Sequence, residues 1–250
     1  MLDGVVHAMI QERRAAGPRG GDLLDRLIDA APASVREGAG RRWIRDQVMS
    51  ILLAAHETTS LAVLWAMVEL AAHPDIEAHL VRESRAADLD PGTGFGLLAQ
   101  LRFADSVFRE ALRLYPPAWC YSRRAIAADR MGSHHIPAGA TVVLCPYTIQ
   151  RKAEYWDRPD RFDPWRFHDR DPAAIVPGSY FPFAGGNHIC LGNRFAMIEG
   201  TLILAGLYRD FRFHILNPAP IRPLPATTLR PNIPVLAHVR LCHDTSRRAA

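Results

Sequence analysis

The sequence predicts a mainly α fold with small β-sheets. Three observations carry that prediction. Apolar residues recur at helical spacing over about 41–72, over about 101–115 and again after Leu191. Period-two alternation is confined to short stretches, Tyr121 to Ile126, Thr141 to Leu144 and Val235 to Leu241. Between 151 and 180 neither period appears, and the segment is dense in Arg, Asp, Pro and aromatic residues, which reads as an ordered loop.

The 250 residues are 48% apolar and 22% charged, enough apolar surface for a sizeable core. The net charge of +4 is scattered, which predicts neither a nucleic-acid partner nor a polybasic membrane anchor. Cys120, Cys145, Cys190 and Cys242 form no Cys-x-x-Cys pair and no disulfide framework, the usage of a reducing cytoplasm. No basic, apolar leader opens the chain, and His56-Glu57 and Glu69 cut the longest apolar runs short of a membrane span.

Residues 2–15 carry Val5, Val6, Met9 and Ile10, an amphipathic helix ended by Gly17-Pro18. Asp22 can cap a second short helix whose face is Leu23, Leu24, Leu27 and Ile28, closed by Pro32. The pattern from about 41 to 72 is apolar on more than one face after Val48, so it should cross the interior. A polar block, Ala54 to Ser60, interrupts it, and its Thr and Ser side chains can bond back to the helix and bend it. Ser60 stands where a His-Glu-x-x-His zinc motif needs its second histidine, so that motif is broken.

His73-Pro74 ends the long helix, and a polar helix follows to about Arg85. Asp90 to Gly94 reads as a turn-rich linker. The next helix, about 101–115, places Glu110 and Arg113 three apart on one face, where they can pair. Strands flank a turn at His135 to Gly139, and His134-His135 reads as loop decoration, since neighbours on a strand point to opposite faces. Arg247 to Ala250 should fray.

The densest chemistry lies in Tyr180 to Gly200, where Cys190 stands between Gly185-Gly186 and a helical pattern through Phe195, Ile198, Leu202 and Ala205. The two glycines allow positive φ and a close approach. A helix start favours the thiolate form of a cysteine, and a thiolate suits a soft or borderline metal.

The spacing Phe183-x-x-Gly186-x-His188-x-Cys190-x-Gly192 resembles the haem-binding loop of the cytochrome P-450 family. Three further stretches resemble that family in its own order. They are the polar block at Glu57-Thr58, Glu110-x-x-Arg113 closed by Tyr-Pro-Pro, and Pro164-x-Arg166-Phe167. The departures are Ala55 where a glycine is usual, Gln150 where a histidine is common and thus one altered propionate contact, and a short front before the long helix. The resemblance implies one partial domain over 1–250 with the family's N-terminal half absent. In it the ligand loop and following helix would occupy 181–208.

The resemblance further implies haem b (iron protoporphyrin IX) with Cys190 as its axial ligand. His188 and either Arg123 or Arg124, with Arg123 favoured, would meet propionates. Phe183 would shield the sulfur, with Gly186 and Gly192 beside the porphyrin. Glu57 and Thr58 would deliver protons, and Glu110, Arg113 and Arg166 would form a structural triad. The implied activity inserts one oxygen atom of O2 into a small apolar organic substrate. Electrons would come from NAD(P)H through a ferredoxin- or flavoprotein-type donor, with basic residues around Arg194 facing it. The alternatives are haem-thiolate chemistry of peroxygenase, isomerase or dehydratase type, or a non-catalytic fragment.

Overall fold

The computed structural model describes residues 2–32, 39–89, 96–168 and 174–242. The expected linker at Asp90 to Gly94 and the expected frayed tail at Arg247 to Ala250 lie outside them. Two compact units emerge, Met1–Glu57 and Thr58–Ala250, and their boundary falls inside one continuous helix.

In the first unit, α1 (Leu2–Ala16) and α2 (Leu23–Ala30) precede the start of α3 (Ala39–Ala72). Val6, Ile10, Ala31 and Ile44 form its small core, with Leu24, Leu27, Ile28, Trp43, Val48 and Met49 against them. Asp22 caps α2 as the sequence suggests, accepting the Asp25 N–H at 3.0 Å. Arg13 ties both acids of that turn, donating to Asp22 at 2.6 Å and Asp25 at 2.7 Å.

The second unit is built on packed helices: the rest of α3, α4 (Pro74–Ala86), α6 (Arg102–Leu114) and α9 (Asn193–Asp210). Leu70, Leu80, Phe103, Val107, Phe108, Ala111 and Leu204 lie in its core. The start of α6 lacks a capping side chain of its own. Glu83 of α4 supplies it, accepting the Phe103 and Ala104 N–H groups at 2.7 and 2.8 Å. Gly200 of α9 meets α6 so closely that a β-carbon there would lie 2.3 Å from the Phe108 ring.

Shorter helices are α5 (Gly96–Gln100), α7 (Pro146–Ile149) and α8 (Trp165–His168). The strands form antiparallel pairs: β1 (Tyr121–Arg124) with β4 (Thr141–Leu144), β2 (Asp129–Met131) with β3 (His134–Ile136), β5 (Phe211–Ile215) with β8 (Ala237–Leu241), and β6 (Pro223–Pro225) with β7 (Leu229–Pro231).

Several expectations are corrected. His134 and His135 belong to β3 rather than to a loop, paired with Met131 and Arg130. β8 is exposed along its whole length, without alternation, because its strand partner is β5 alone. The long helix runs unbroken through the polar block, and Leu52 to Glu57 are all exposed, so this part does not cross an interior. Beyond this exposed stretch, burial resumes at Thr59 and includes Ala62, Val63, Trp65, Ala66 and Leu70. Residues Arg42–Ala72 also pass the length and composition test for a membrane span, with mean hydropathy 1.5, despite the interrupting charges. Buried core helices pass the same test.

Candidate functional site

The site is built outward from α6. Arg113 and Glu110 are completely buried. Arg113 donates through Nε to one Glu110 oxygen at 2.7 Å and through Nη2 to the other at 2.8 Å. This is a bidentate fork, the strongest geometry open to the pair. Arg113 spends its remaining donors on the carbonyls of Gln150, Pro159 and Arg161, at 2.8, 2.6 and 3.1 Å. Its guanidinium lies 5.1 Å from the centre of the Trp156 ring. Glu110 also accepts the Asp163 N–H at 2.9 Å, and Arg166 Nε stands 3.4 Å from it. Burial raises the Glu110 carboxyl above the usual carboxylate range, against the pull of Arg113. Burial likewise lowers Arg166. The three residues read as a triad are thus brought together, and the aromatic loop is tied to α6 through them.

Gln150 is also completely buried, and it extends the knot toward the cysteine. Its amide nitrogen donates to the Leu112 and Arg113 carbonyls at 3.0 Å each, and its oxygen accepts the Phe181 N–H at 2.8 Å. Both ends of the amide are committed to backbone groups, so its part here is structural. Its sequence position carried only the common histidine of the resembling family as a signal.

From Phe181 the chain turns tightly. Ala184 and Gly186 adopt positive φ of 59° and 64°, whereas Gly185 is extended at −164°. The left-handed positions are therefore Ala184 and Gly186, not the two glycines; a non-glycine there marks a locally enforced turn. The Phe183 carbonyl accepts the Cys190 N–H at 2.9 Å, and the Cys190 carbonyl accepts the Asn193 N–H at 3.3 Å. The helix begins at Asn193, three residues past Cys190, with Gly192 at its cap.

The backbone of Cys190 is pinned on both sides, yet the residue is exposed. So are Ile189, Leu191 at 92% and Phe195 at 65%. Large apolar side chains so exposed around a fixed thiol mark a face made to be covered. Phe183 is half-buried and packs on the core. A β-carbon at Gly185 or Gly186 would meet no protein atom, and one at Gly192 would lie in ordinary contact with the Cys190 sulfur. Apart from the positive φ at Gly186, protein packing does not demand these glycines. His188 is exposed in a short 3-10 turn, and Arg123 and Arg124 are exposed on β1. Arg123 lies 5.1 Å from the Tyr121 ring. Glu57 is exposed and Thr58 half-buried on α3.

Among the described residues, no three His, Cys, Asp or Glu side chains gather around a metal position. A single exposed thiol without such neighbours is compatible with a metal that arrives in a cofactor carrying its other ligands, as haem iron does. The cytochrome P450 family model matches residues 1–237.

The chain belongs to the cytochrome P450 family. Its P450 relatives include cyclooctatin synthase of Streptomyces melanosporofaciens, 34% identical over 92% of this chain and 49% of that protein. Cyclooctat-9-en-7-ol 5-monooxygenase of the same organism is 33% identical over 91% of this chain and 48% of that protein. Pentalenene oxygenase of Streptomyces avermitilis is 32% identical over 91% of this chain and 51% of that protein. The chain spans about half the length of these curated relatives. The cofactor of the P450 family is haem, and the exposed thiol with its apolar surround fits it.

Proposed function

We propose that this P450 chain binds haem b through Cys190 and takes part in a monooxygenase reaction on an apolar organic substrate. The observation that carries the proposal is the exposed Cys190 thiol on a backbone pinned by Phe183 and Asn193. Bound there, haem would supply oxygen binding and oxygen-atom transfer. Cys190 Sγ would hold its iron. His188 and Arg123 or Arg124 hold the porphyrin carboxylates, which suit imidazole and guanidinium donors. Phe183 covers the sulfur from its seat on the core, and Gly186 and Gly192 keep β-carbons out of the porphyrin's way. Glu57 and the Thr58 hydroxyl would relay protons from solvent toward the bound haem.

Electrons reach the chain from NAD(P)H through a ferredoxin- or flavoprotein-type donor, drawn by basic residues such as the exposed Arg194. The substrate class agrees with the olefinic names cyclooctat-9-en-7-ol and pentalenene among the relatives. The burial of α3 from Thr59 to Leu70 supports reading this stretch as a core helix rather than a membrane span, and a cytoplasmic location fits the bacterial relatives.

The test is expression with a haem precursor, followed by the spectrum of the reduced, carbon-monoxide-bound protein. A thiolate-type Soret band is expected from the wild type and should be lost in Cys190→Ala. Absence of the band in the wild type overturns haem-thiolate binding, and a band surviving Cys190→Ala overturns the ligand. A second reading, haem binding without turnover, is favoured by the exposure of Leu52 to Glu57. NAD(P)H-dependent oxygen consumption with a ferredoxin and its reductase separates the two: consumption above the uncoupled background sinks the second reading.

A further inference from the structure

A cavity of about 520 Å³ opens between the first half of α6, the start of α9 and the end of the aromatic loop. Its size is that of a small-molecule site. Its lining excludes Cys190, His188 and Leu191, and it adjoins the candidate haem face through Phe183 and Asn193. Phe167, Tyr180 and Phe183 contribute aromatic walls, with the Phe167 and Tyr180 rings 5.0 Å apart at 50°. Met197 and Ile198 add apolar surface from α9.

Among the described lining residues, the arginines outnumber the carboxylates. Arg109 is satisfied by Asp105, with Nε donating at 2.5 Å, so this pair is neutral. Arg102 also lines the cavity and is exposed. Glu83, which caps the start of the same helix, already accepts the Phe103 and Ala104 N–H groups with its two oxygens. Arg194 lines the other side, and its guanidinium forms no ion pair among the described residues. Two arginines therefore share the lining with aromatic and thioether side chains. A cation would be repelled, and a neutral hydrocarbon would leave the guanidiniums unanswered. A carboxylate on a flat apolar body answers both, through charge-assisted bonds and ring contacts.

We propose that this cavity is an accessory binding site for a small aromatic carboxylate. Phe183 links it to the cysteine loop: its ring lines the cavity and its carbonyl accepts the Cys190 N–H. A bound anion should hold Phe183 in place and slow hydrogen exchange at the Cys190 amide.

The site can be tested on the haem-free 250-residue chain, so failure of the haem reading leaves the result interpretable. Isothermal calorimetry would compare naphthalene-2-carboxylate with its neutral carboxamide. One site is expected, with the carboxylate at least about tenfold tighter, in line with charge-assisted pairing. The double variant Arg102→Gln/Arg194→Gln should remove that preference. Both arginines are exposed, so the fold should survive the change, with melting as the control. Met197→Trp, which fills the cavity, should weaken both ligands together. The proposal is overturned by absence of saturable carboxylate binding, by equal affinities for the two probes, or by a double variant that keeps the preference. Displacement of the probe by haemin would place it at the cysteine face, and binding only of an acidic, aromatic peptide would make the cavity a protein contact. Either result overturns it as well.

Discussion

The Glu110–Arg113 knot and the Cys190 loop lie in the same unit, and they treat their chemistry in opposite ways. The knot is sealed: both residues are completely buried and Arg113 spends its donors on one carboxylate and three backbone carbonyls. The loop is fixed in its backbone but open in its side chains, with Cys190, Leu191 and Phe195 exposed. A buried ion network holds position because every partner is already supplied by the protein. An exposed thiol on a pinned backbone keeps its position while leaving its chemistry for something added. Sealed contacts and exposed side chains are thereby divided between neighbouring segments, and Gln150 joins them through Leu112, Arg113 and Phe181.

The sharpest way to break this division is Glu110→Ala. It would leave the buried Arg113 without its carboxylate and Arg166 without the partner 3.4 Å away. Removing one member of a buried pair costs about 3–5 kcal/mol, so most of the chain should be lost to aggregation or unfold in mild urea. A variant that melts like the wild type would show that the knot does not support the fold.

Gln150→Leu comes next. It keeps the volume and removes three bonds to buried backbone groups, for a cost of about 3 kcal/mol. Because one of those bonds fixes Phe181, its effect should also reach the ligand loop: hydrogen exchange should accelerate at Phe181 and at Cys190. Equal destabilisation without faster exchange at Cys190 would separate the knot from the loop. Gly200→Ala is a smaller and purely steric test. The added β-carbon would sit 2.3 Å from Phe108, and overpacking of this kind costs about 2 kcal/mol. Phe108→Leu should recover part of the loss in the double variant, measured by urea unfolding.

The sequence displayed the knot and the loop unequally. The pairing of Glu110 with Arg113 was readable from their spacing of three, and the place of Arg166 beside them came from the resemblance to the P450 family. Helices α3, α6 and α9 were readable through the apolar period. Gln150 was not, because its partners are backbone groups 31 to 38 residues away, and a backbone carbonyl has no residue signature. The turn was misread at Gly185, since a glycine permits positive φ without requiring it, and Ala184 adopts it instead. Exposure was misread at Leu52 and Leu53: an apolar pattern records what a helix can bury, and burial depends on what packs against it. The role of Gly200 was invisible for the same reason, since Phe108 is remote in the chain.

The smallest expected effect on stability is also the most telling for function. Cys190→Ala removes a side chain that is exposed and fixes no other element by itself. The hydrogen bonds at this position, from Cys190 N to Phe183 and from Asn193 N to the Cys190 carbonyl, belong to the backbone and survive the substitution. An exposed change of this kind stays within about 0.5 kcal/mol, so the haem-free variant should unfold at the wild-type urea midpoint. With haem present, the wild type alone should gain stability, because a ligand held only by the folded state shifts unfolding by mass action. A haem-dependent rise in midpoint for wild type and none for Cys190→Ala would show that the open loop, unlike the sealed knot, acts through what it binds. An equal rise in both would assign the haem contact to other residues, while a large loss in the haem-free variant would make Cys190 part of the scaffold.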